Sequence, residues 1–286
     1  MKYFSLLAFL TLFILPATSL AQKITVEEVL AKHLESIGVK QKRDNIKNQI
    51  ASANVRFKLK GSVNAIDGKA VLVSSGNKNI WGMLLSSNDY PQDRFGFDGK
   101  DVRVGFVRPG TYSILGTFIL SYKELLREGL LGGTLFSSWA LNHTEAIKPK
   151  LSYDGTKKID GNDTHVIDYN IRGGSDLSIK MYFETKTFRH VRTEYNRVIA
   201  ARQGSTIDSS AGQSPDRYKL IEDFSDFQNV SGLTVPRKYT IFYSFSGSSS
   251  IRVANSPYRE LELVFEITNF VTNQDIDPGS FDIDSK

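Results

Sequence analysis

The sequence predicts a mainly β, α+β protein built on an antiparallel sheet, and three observations carry that prediction. From Ile50 onward apolar and polar residues alternate with period two, Gly-containing turn signals punctuate the alternating runs, and one short amphipathic helix precedes them. Sequential one-sided strands joined by short turns make a meander with one apolar face that has to be covered.

At the N-terminus, Lys2 supplies a positive charge, residues 3–15 an apolar run, and residues 17–21 small side chains with Ser19 and Ala21 placed for cleavage. Together these describe a secretory signal peptide, since the run falls short of the roughly 20 apolar residues that a membrane span needs. Residues 1–21 are expected to be removed, leaving a mature chain that starts at Gln22. The sequence has no cysteine, which excludes a disulfide scaffold and a lipoprotein lipidated on cysteine. With neither a Pro/Ser-rich linker nor a repeat, residues 22–286 are expected to form one domain. The net charge of +5 falls to +4 without Lys2, and both signs are interspersed along the strands. Export and the lack of a basic stripe interleaved with aromatics argue against nucleic acid as a partner.

Thr25 and Glu28 have the spacing of a capping box, and Val26, Val29, Leu30, Leu34 and Ile37 recur at helical spacing before Gly38. Residues 25–37 are therefore expected to form an amphipathic helix, with His33 partly exposed on it. The basic run Lys40, Lys42, Arg43 and Lys47 reads as a solvated connector, with attraction to anionic lipid headgroups as its alternative.

In the strands, Val55, Phe57 and Leu59 alternate with Arg56, Lys58 and Lys60, and Val102, Val104 and Phe106 with Arg103 and Gly105. Leu177, Ile179, Met181 and Phe183 alternate with Ser178, Lys180 and Tyr182. This period puts Phe57, Phe106, Met181 and Phe183 on the covered face. Asp67-Gly68, Asp98-Gly99, Asp154-Gly155 and Asp160-Gly161 read as turn dipeptides. The apolar insertion at 121–142 contains Leu125, Leu126, Leu130, Leu131, Leu135, Phe136, Trp139 and Leu141, divided by Gly129, Gly132 and Gly133. It reads as two short helical pieces that cover the sheet, either as a dry plug or as a movable lid over a lipid-sized cavity.

Near the C-terminus, residues 218–245 form two β-prone runs around Asn229, Ser231 and Gly232, with Pro236 near the start of the second. Leu261, Leu263, Phe265 and Ile267 then alternate with Glu262, Glu266 and Thr268, before a polar turn at 273–279 and a closing Phe281-Asp282-Ile283. Phe224, Ser225, Asp226, Phe227, Val230, Gly232, Leu233, Val235 and Pro236, followed by Ile276, Asp277, Pro278 and Phe281, make a pattern that resembles the bacterial outer-membrane lipoprotein-sorting-like proteins, relatives of the periplasmic lipoprotein carrier LolA. The helix at "V-L-A-K-H-L-E-S-I-G" resembles the way members of that family begin. The resemblance implies a single curved antiparallel sheet forming a half-barrel, short helices covering its concave face, a periplasmic location, and lipid or lipoprotein acyl chains as partners, with transient contact with envelope membranes or membrane proteins expected besides.

A search for chemistry finds no G-x-S-x-G, no H-E-x-x-H and no phosphate-cradling glycine loop. His33, His143, His165 and His190 fall in different elements, and His165 and His190 read as sheet-edge residues. No cofactor and no metal are expected. Asn273, Asp275, Asp277 and Asp284 have a calcium-loop spacing, but Pro278 stands where glycine is needed, so a plain polar turn is the better reading. The sequons at Asn142, Asn162 and Asn229 belong to a motif that arises readily by chance. Three classes of function remain: a non-enzymatic binder of lipid or acylated ligand, a structural envelope protein with a self-filled core, and a hydrolase with a scattered site. The first is favoured, with an apolar cavity expected at Phe57, Leu59, Phe106, Leu131, Phe136, Trp139, Met181, Phe183 and Phe265, and with Phe136 and Trp139 at its mouth.

Overall fold

A computed structural model describes residues 24–201, 215–247 and 260–283. The signal-peptide reading of 1–21 and the Asp284 position lie outside these residues. The chain forms helix α1 (Val26–Ile37) and a single turn, α2 (Lys40–Asp44), before the first strands: β1 (Asn48–Leu59), β2 (Ile66–Ser75), β3 (Lys78–Leu85), β4 (Gln92–Phe97) and β5 (Val102–Val104). After a mixed segment come β6 (Lys150–Ile159), β7 (Asn162–Asn170), β8 (Ser178–Glu184), β9 (His190–Ile199), β10 (Asp216–Val230), β11 (Leu233–Ser246) and β12 (Glu260–Thr272). All twelve lie in one antiparallel sheet of order β5-β4-β3-β2-β1-β12-β11-β10-β9-β8-β7-β6, which does not close into a barrel. This is the half-barrel that the resemblance implies. Every neighbouring pair is consecutive in sequence except β1 and β12, so the sheet is a meander ring opened between β5 and β6.

The alternation read from the sequence sets the faces. Leu261, Leu263, Phe265 and Ile267 are buried while Glu262, Glu266 and Thr268 are exposed, and Val55, Phe57, Ile179, Met181 and Phe183 are buried likewise. Ser231 and Gly232, both at positive φ, form the two-residue turn between β10 and β11, and Asp160-Gly161 does the same between β6 and β7. Pro236 pairs with Phe227 beyond the stretch where β11 meets β12, so its missing N–H costs no bond to that strand.

Three expectations are corrected. Asp67-Gly68 lies inside β2, and Asp154-Gly155 inside β6, where the register shifts between Tyr153 and Thr156; both are strand residues rather than turns. Phe106 is 47% exposed rather than buried, because β5 stops at Val104 and the chain leaves the pleat at Gly105, so that Val107 turns inward in its place. Phe106 packs instead on Tyr112, with ring centroids 4.5 Å apart.

The concave face is covered by the segment that joins the two open edges. It contains α3 (Ile114–Ser121), capped by Ser113, then the single turns α4 (Glu124–Arg127) and α5 (Thr144–Ile147). Of the two short helical pieces expected over 121–142, the first is α4; beyond Gly129 two 3-10 turns, Gly133–Leu135 and Ala140–Asn142, stand in place of the second. Gly129 at φ 67° and Gly132 at φ 81° break the helix, and a Cβ on them would meet Ser138 O at 1.9 Å and the Phe136 ring at 2.3 Å. Leu125, Leu130, Leu135, Phe136, Trp139 and Leu141 are all buried in the main core.

A non-helical segment inside a core has to find partners for its backbone. The strands supply them: the Tyr195 hydroxyl, 2.8 Å from Leu130 O, shares its one proton between that carbonyl and Glu222, Asn79 Nδ2 donates to Leu126 O at 2.8 Å, and Ser74 Oγ accepts from Ser137 N at 2.8 Å. Glu222 accepts from Gly132 N at 2.7 Å and from the Tyr195 hydroxyl at 2.7 Å, and the Tyr239 hydroxyl also donates to it. With Trp139 fully buried, Trp139→Ala is expected to cost about 3–5 kcal/mol in urea unfolding. A cost below ~1 kcal/mol would mean that this segment does not hold the core closed.

Candidate ligand-binding site

The helix α1 closes one end of the half-barrel. Its capping box forms as expected, Thr25 N donating to Glu28 Oε2 at 2.9 Å and Glu28 N to Thr25 Oγ1 at 3.2 Å. Val29, His33 and Ile37 make its buried stripe. His33 is therefore not partly exposed but 1% accessible, with Nδ1 2.8 Å from Phe188 O and its ring against Trp139, Phe183 and His190. Burial pulls its pKa from 6.5 down to about 4. His190 is buried too, well inside the sheet on β9, and burial and His33 push its pKa well down; its Nε2 lies 2.8 Å from Thr193 Oγ1. His165, on β7 beside the edge strand β6, is buried and stacks on Phe188. The sheet-edge reading of both is corrected: edge β6 lies outside His165, and the β8–β9 turn folds Phe188 over it. His143 is exposed, with Nε2 2.8 Å from Ser137 O.

At the opposite end, where β1 runs out and β12 begins, the described residues enclose an open cleft of about 870 Å³. Phe57, Leu59, Ile66 and Leu261 from strand ends, Tyr90, Val107 and Tyr112 from the connections, and Ile114 at the start of α3 give it apolar walls. Ser62, Ser87, Asp89, Arg108, Thr111, Ser113 and Thr117 supply its polar positions. Tyr90 stacks on Phe57 at 4.7 Å between centroids, and its hydroxyl donates to the buried Asp93 at 2.5 Å. Burial raises the Asp93 carboxyl to about 6, against hydrogen bonds from Tyr90 and Ser113. A volume of this order is that of a small-ligand site, and apolar walls with a few polar groups suit an amphiphile.

Of the residues named from the sequence, the structure brings Phe57 and Leu59 to this cleft. Leu131, Phe136, Trp139, Met181, Phe183 and Phe265 lie together in the closed core, and Phe106 stands outside it. Phe136 packs on Trp81 at 5.1 Å, and Trp139 on His190 at 5.0 Å. The connections at 87–90 and 107–113 were missed, because loops carry no periodicity. The polar turn at 273–279 spends its side chains on backbone: Asn273 accepts from Lys47 N and donates to Asn45 O, and Asp277 accepts from Gly279 N. The closing Phe281 and Ile283 pack on Ile80, away from the main core.

No family model matches the sequence, and no curated protein does. Among solved structures, the chain is similar in fold to a LolA superfamily protein from Nitrosomonas europaea, at 13% identity and a TM-score of 0.47, over 91% of this chain and 98% of that one. A DUF1329 family protein from Desulfovibrio piger matches at 11% identity and 0.47 over 91% and 98%. An outer membrane lipoprotein-sorting protein domain from Vibrio parahaemolyticus matches at 10% identity and 0.47 over 90% and 97%. The likeness is one of fold and does not extend to the sequence.

Glu222 gives the core a pH dependence. Burial raises its carboxyl from 4.5 to about 7, while Tyr239, Gly132 N–H and Tyr195 act to lower it. Because the folded value exceeds the unfolded one, folding takes up a proton between these values; the stability that protonated Glu222 contributes is complete below about 4.5 and lost as pH rises through about 7. His33 works in reverse, losing stability as pH falls from 6.5 toward about 4. Urea unfolding of the wild type and of Glu222→Gln is expected to show a difference that moves in favour of the wild type as pH drops from ~7.5 to ~5. A difference independent of pH would mean that Glu222 keeps one charge state throughout.

Proposed function

We propose that the protein is an exported, periplasmic, non-enzymatic binder or carrier of a lipid or of an acylated ligand such as a lipoprotein. The observation that carries this reading is the open, apolar-walled cleft at the end of the half-barrel away from α1. An acyl chain laid along Phe57, Leu59, Ile66 and Leu261 leaves water, and each buried methylene is worth about 0.8 kcal/mol. The C-terminal motif resemblance points the same way. In this reading Phe136 and Trp139 hold the closed half of the core shut, while the ligand uses the other end.

Native mass spectrometry of protein purified from its own periplasm is expected to report a co-purified lipid or lipoprotein mass, on a chain beginning at Gln22. Recovery of Met1 on a membrane-bound product would overturn the exported form. Titration with a phospholipid or fatty-acylated peptide is expected to saturate, and Leu59→Asp, which puts a charge in the apolar wall, to weaken binding by roughly tenfold or more while the fold is kept. A flat titration across lipids, lysolipids and acylated peptides, with the protein folded throughout, would favour a structural envelope protein instead.

A further inference from the structure

Two connections face each other across the mouth of the cleft, the 86–91 connection from β3 to β4 and the 105–113 connection from β5 to α3. Each is braced by its own bonds. Ser87 Oγ accepts from the N–H groups of Asp89 and Tyr90, both at 3.2 Å. On the other side, Val107 N donates to Thr111 O at 2.9 Å and Thr111 N to Arg108 O at 2.8 Å, which closes a turn at Gly110 with φ 73°. One ion pair joins the two lips, Arg108 Nη1 to Asp89 Oδ1 at 3.2 Å. Among the described residues that line the cleft, Arg108 carries the positive charge and Asp89 the negative one.

The pair is built to be exchanged. Its side chains are 54% and 90% exposed, so water screens it and it holds the lips together weakly. Asp89 is the more solvated partner and loses little on release, whereas the Arg108 guanidinium keeps a planar fork of donors at the edge of an apolar cleft. A phosphate or carboxylate at the head of a chain lying in the cleft meets that fork in the two-bond geometry that guanidinium favours. We infer that Arg108 selects anionic amphiphiles: the acyl chain occupies the cleft, and its phosphate or carboxylate headgroup takes the place of Asp89 on Arg108. Arg108 is thus a specificity residue and Asp89 the internal competitor that occupies it until a ligand arrives. The inference rests on the cleft reading above and goes beyond it by naming the ligand's charge and the residue that reads it.

Calorimetric titration with four probes tests it: dodecyl phosphate, monododecanoyl glycerol, dodecyltrimethylammonium and inorganic phosphate, the alkyl probes below their micelle concentrations. Dodecyl phosphate is expected to bind roughly tenfold or more tighter than the neutral glyceride, with a preference that shrinks as salt rises, and inorganic phosphate alone to give no saturable heat. Arg108→Gln is expected to bring dodecyl phosphate to the affinity of the neutral probe measured on the same variant. Asp89→Asn, by removing the competitor, is expected to tighten the anion further. Both positions are exposed, and an unchanged Tm certifies that each variant is folded. Equal binding of the three alkyl probes, or an anion preference that survives Arg108→Gln, overturns the headgroup assignment and leaves the cleft reading standing. A cation preference abolished by Asp89→Asn overturns it in favour of Asp89 as the reader. Inorganic phosphate binding as tightly as dodecyl phosphate would make Arg108 part of a free-anion site. No binding by any alkyl probe overturns both readings together.

Discussion

The carboxylate of Glu222 sits with no exposure on β10, and it accepts from the Gly132 backbone and from two tyrosines on the flanking strands β9 and β11. This knot solves the problem that an open sheet creates. A half-barrel presents a broad apolar concave face, and an irregular segment laid across it brings unpaired N–H and C=O groups that would cost about 1–3 kcal/mol each if left unsatisfied. Side chains from β2, β3, β9 and β10 reach inward to meet those groups, so the plug is held by polar contacts in an otherwise apolar core. A buried acid kept near neutrality is the price of using a carboxylate for this, and it ties the closed half of the molecule to pH.

The two ends of the half-barrel then differ in kind. At the α1 end, His33, His190, Trp139, Phe183 and Phe224 interlock ring against ring, with both imidazoles held neutral by burial. At the other end the plug has not yet begun: α3 starts beside the cleft, and the walls there come from strand ends and two connections. One end is packed ring against ring, and the other holds the open, apolar-walled cleft.

Much of this was legible in the sequence, and what was not has physical reasons. The strands could be read because one face is buried and the other wet, as in Leu261 to Ile267. Phe106 misled because alternation continues on paper after the strand has ended. His33 was readable in principle, since Val29, His33 and Ile37 follow one another at i, i+4 and i+8, the spacing of a single helical stripe; its polarity drew attention from its place. The glycines at 129, 132 and 133 suggest a hinge between helices, but three positive φ angles within five residues end α4 after a single turn and leave only 3-10 turns beyond them. The cleft itself was half legible. Phe57 and Leu59 lie on a strand with a period, whereas Tyr90, Arg108 and Tyr112 lie on connections whose positions only the fold determines.

The junction of β1 with β12 sets the order in which the molecule can be made. Eleven neighbouring pairs hold the sheet together, and ten of them join strands adjacent in sequence; the eleventh, from Gln49 against Thr272 to Leu59 against Leu261, lies at the middle of the sheet and closes a loop of some two hundred residues. The entropic cost of such closure grows only slowly with loop length, but it has to be met before the contact gives anything back. Until β12 has left the ribosome, β1 is a bare edge, with Val55 and Phe57 on one side and unpaired N–H and C=O groups along its rim, the kind of surface that recruits other chains. The sheet is thus completed from its middle by its last strand, and a chain truncated before residue 260 would be two separate meanders rather than a shortened half-barrel.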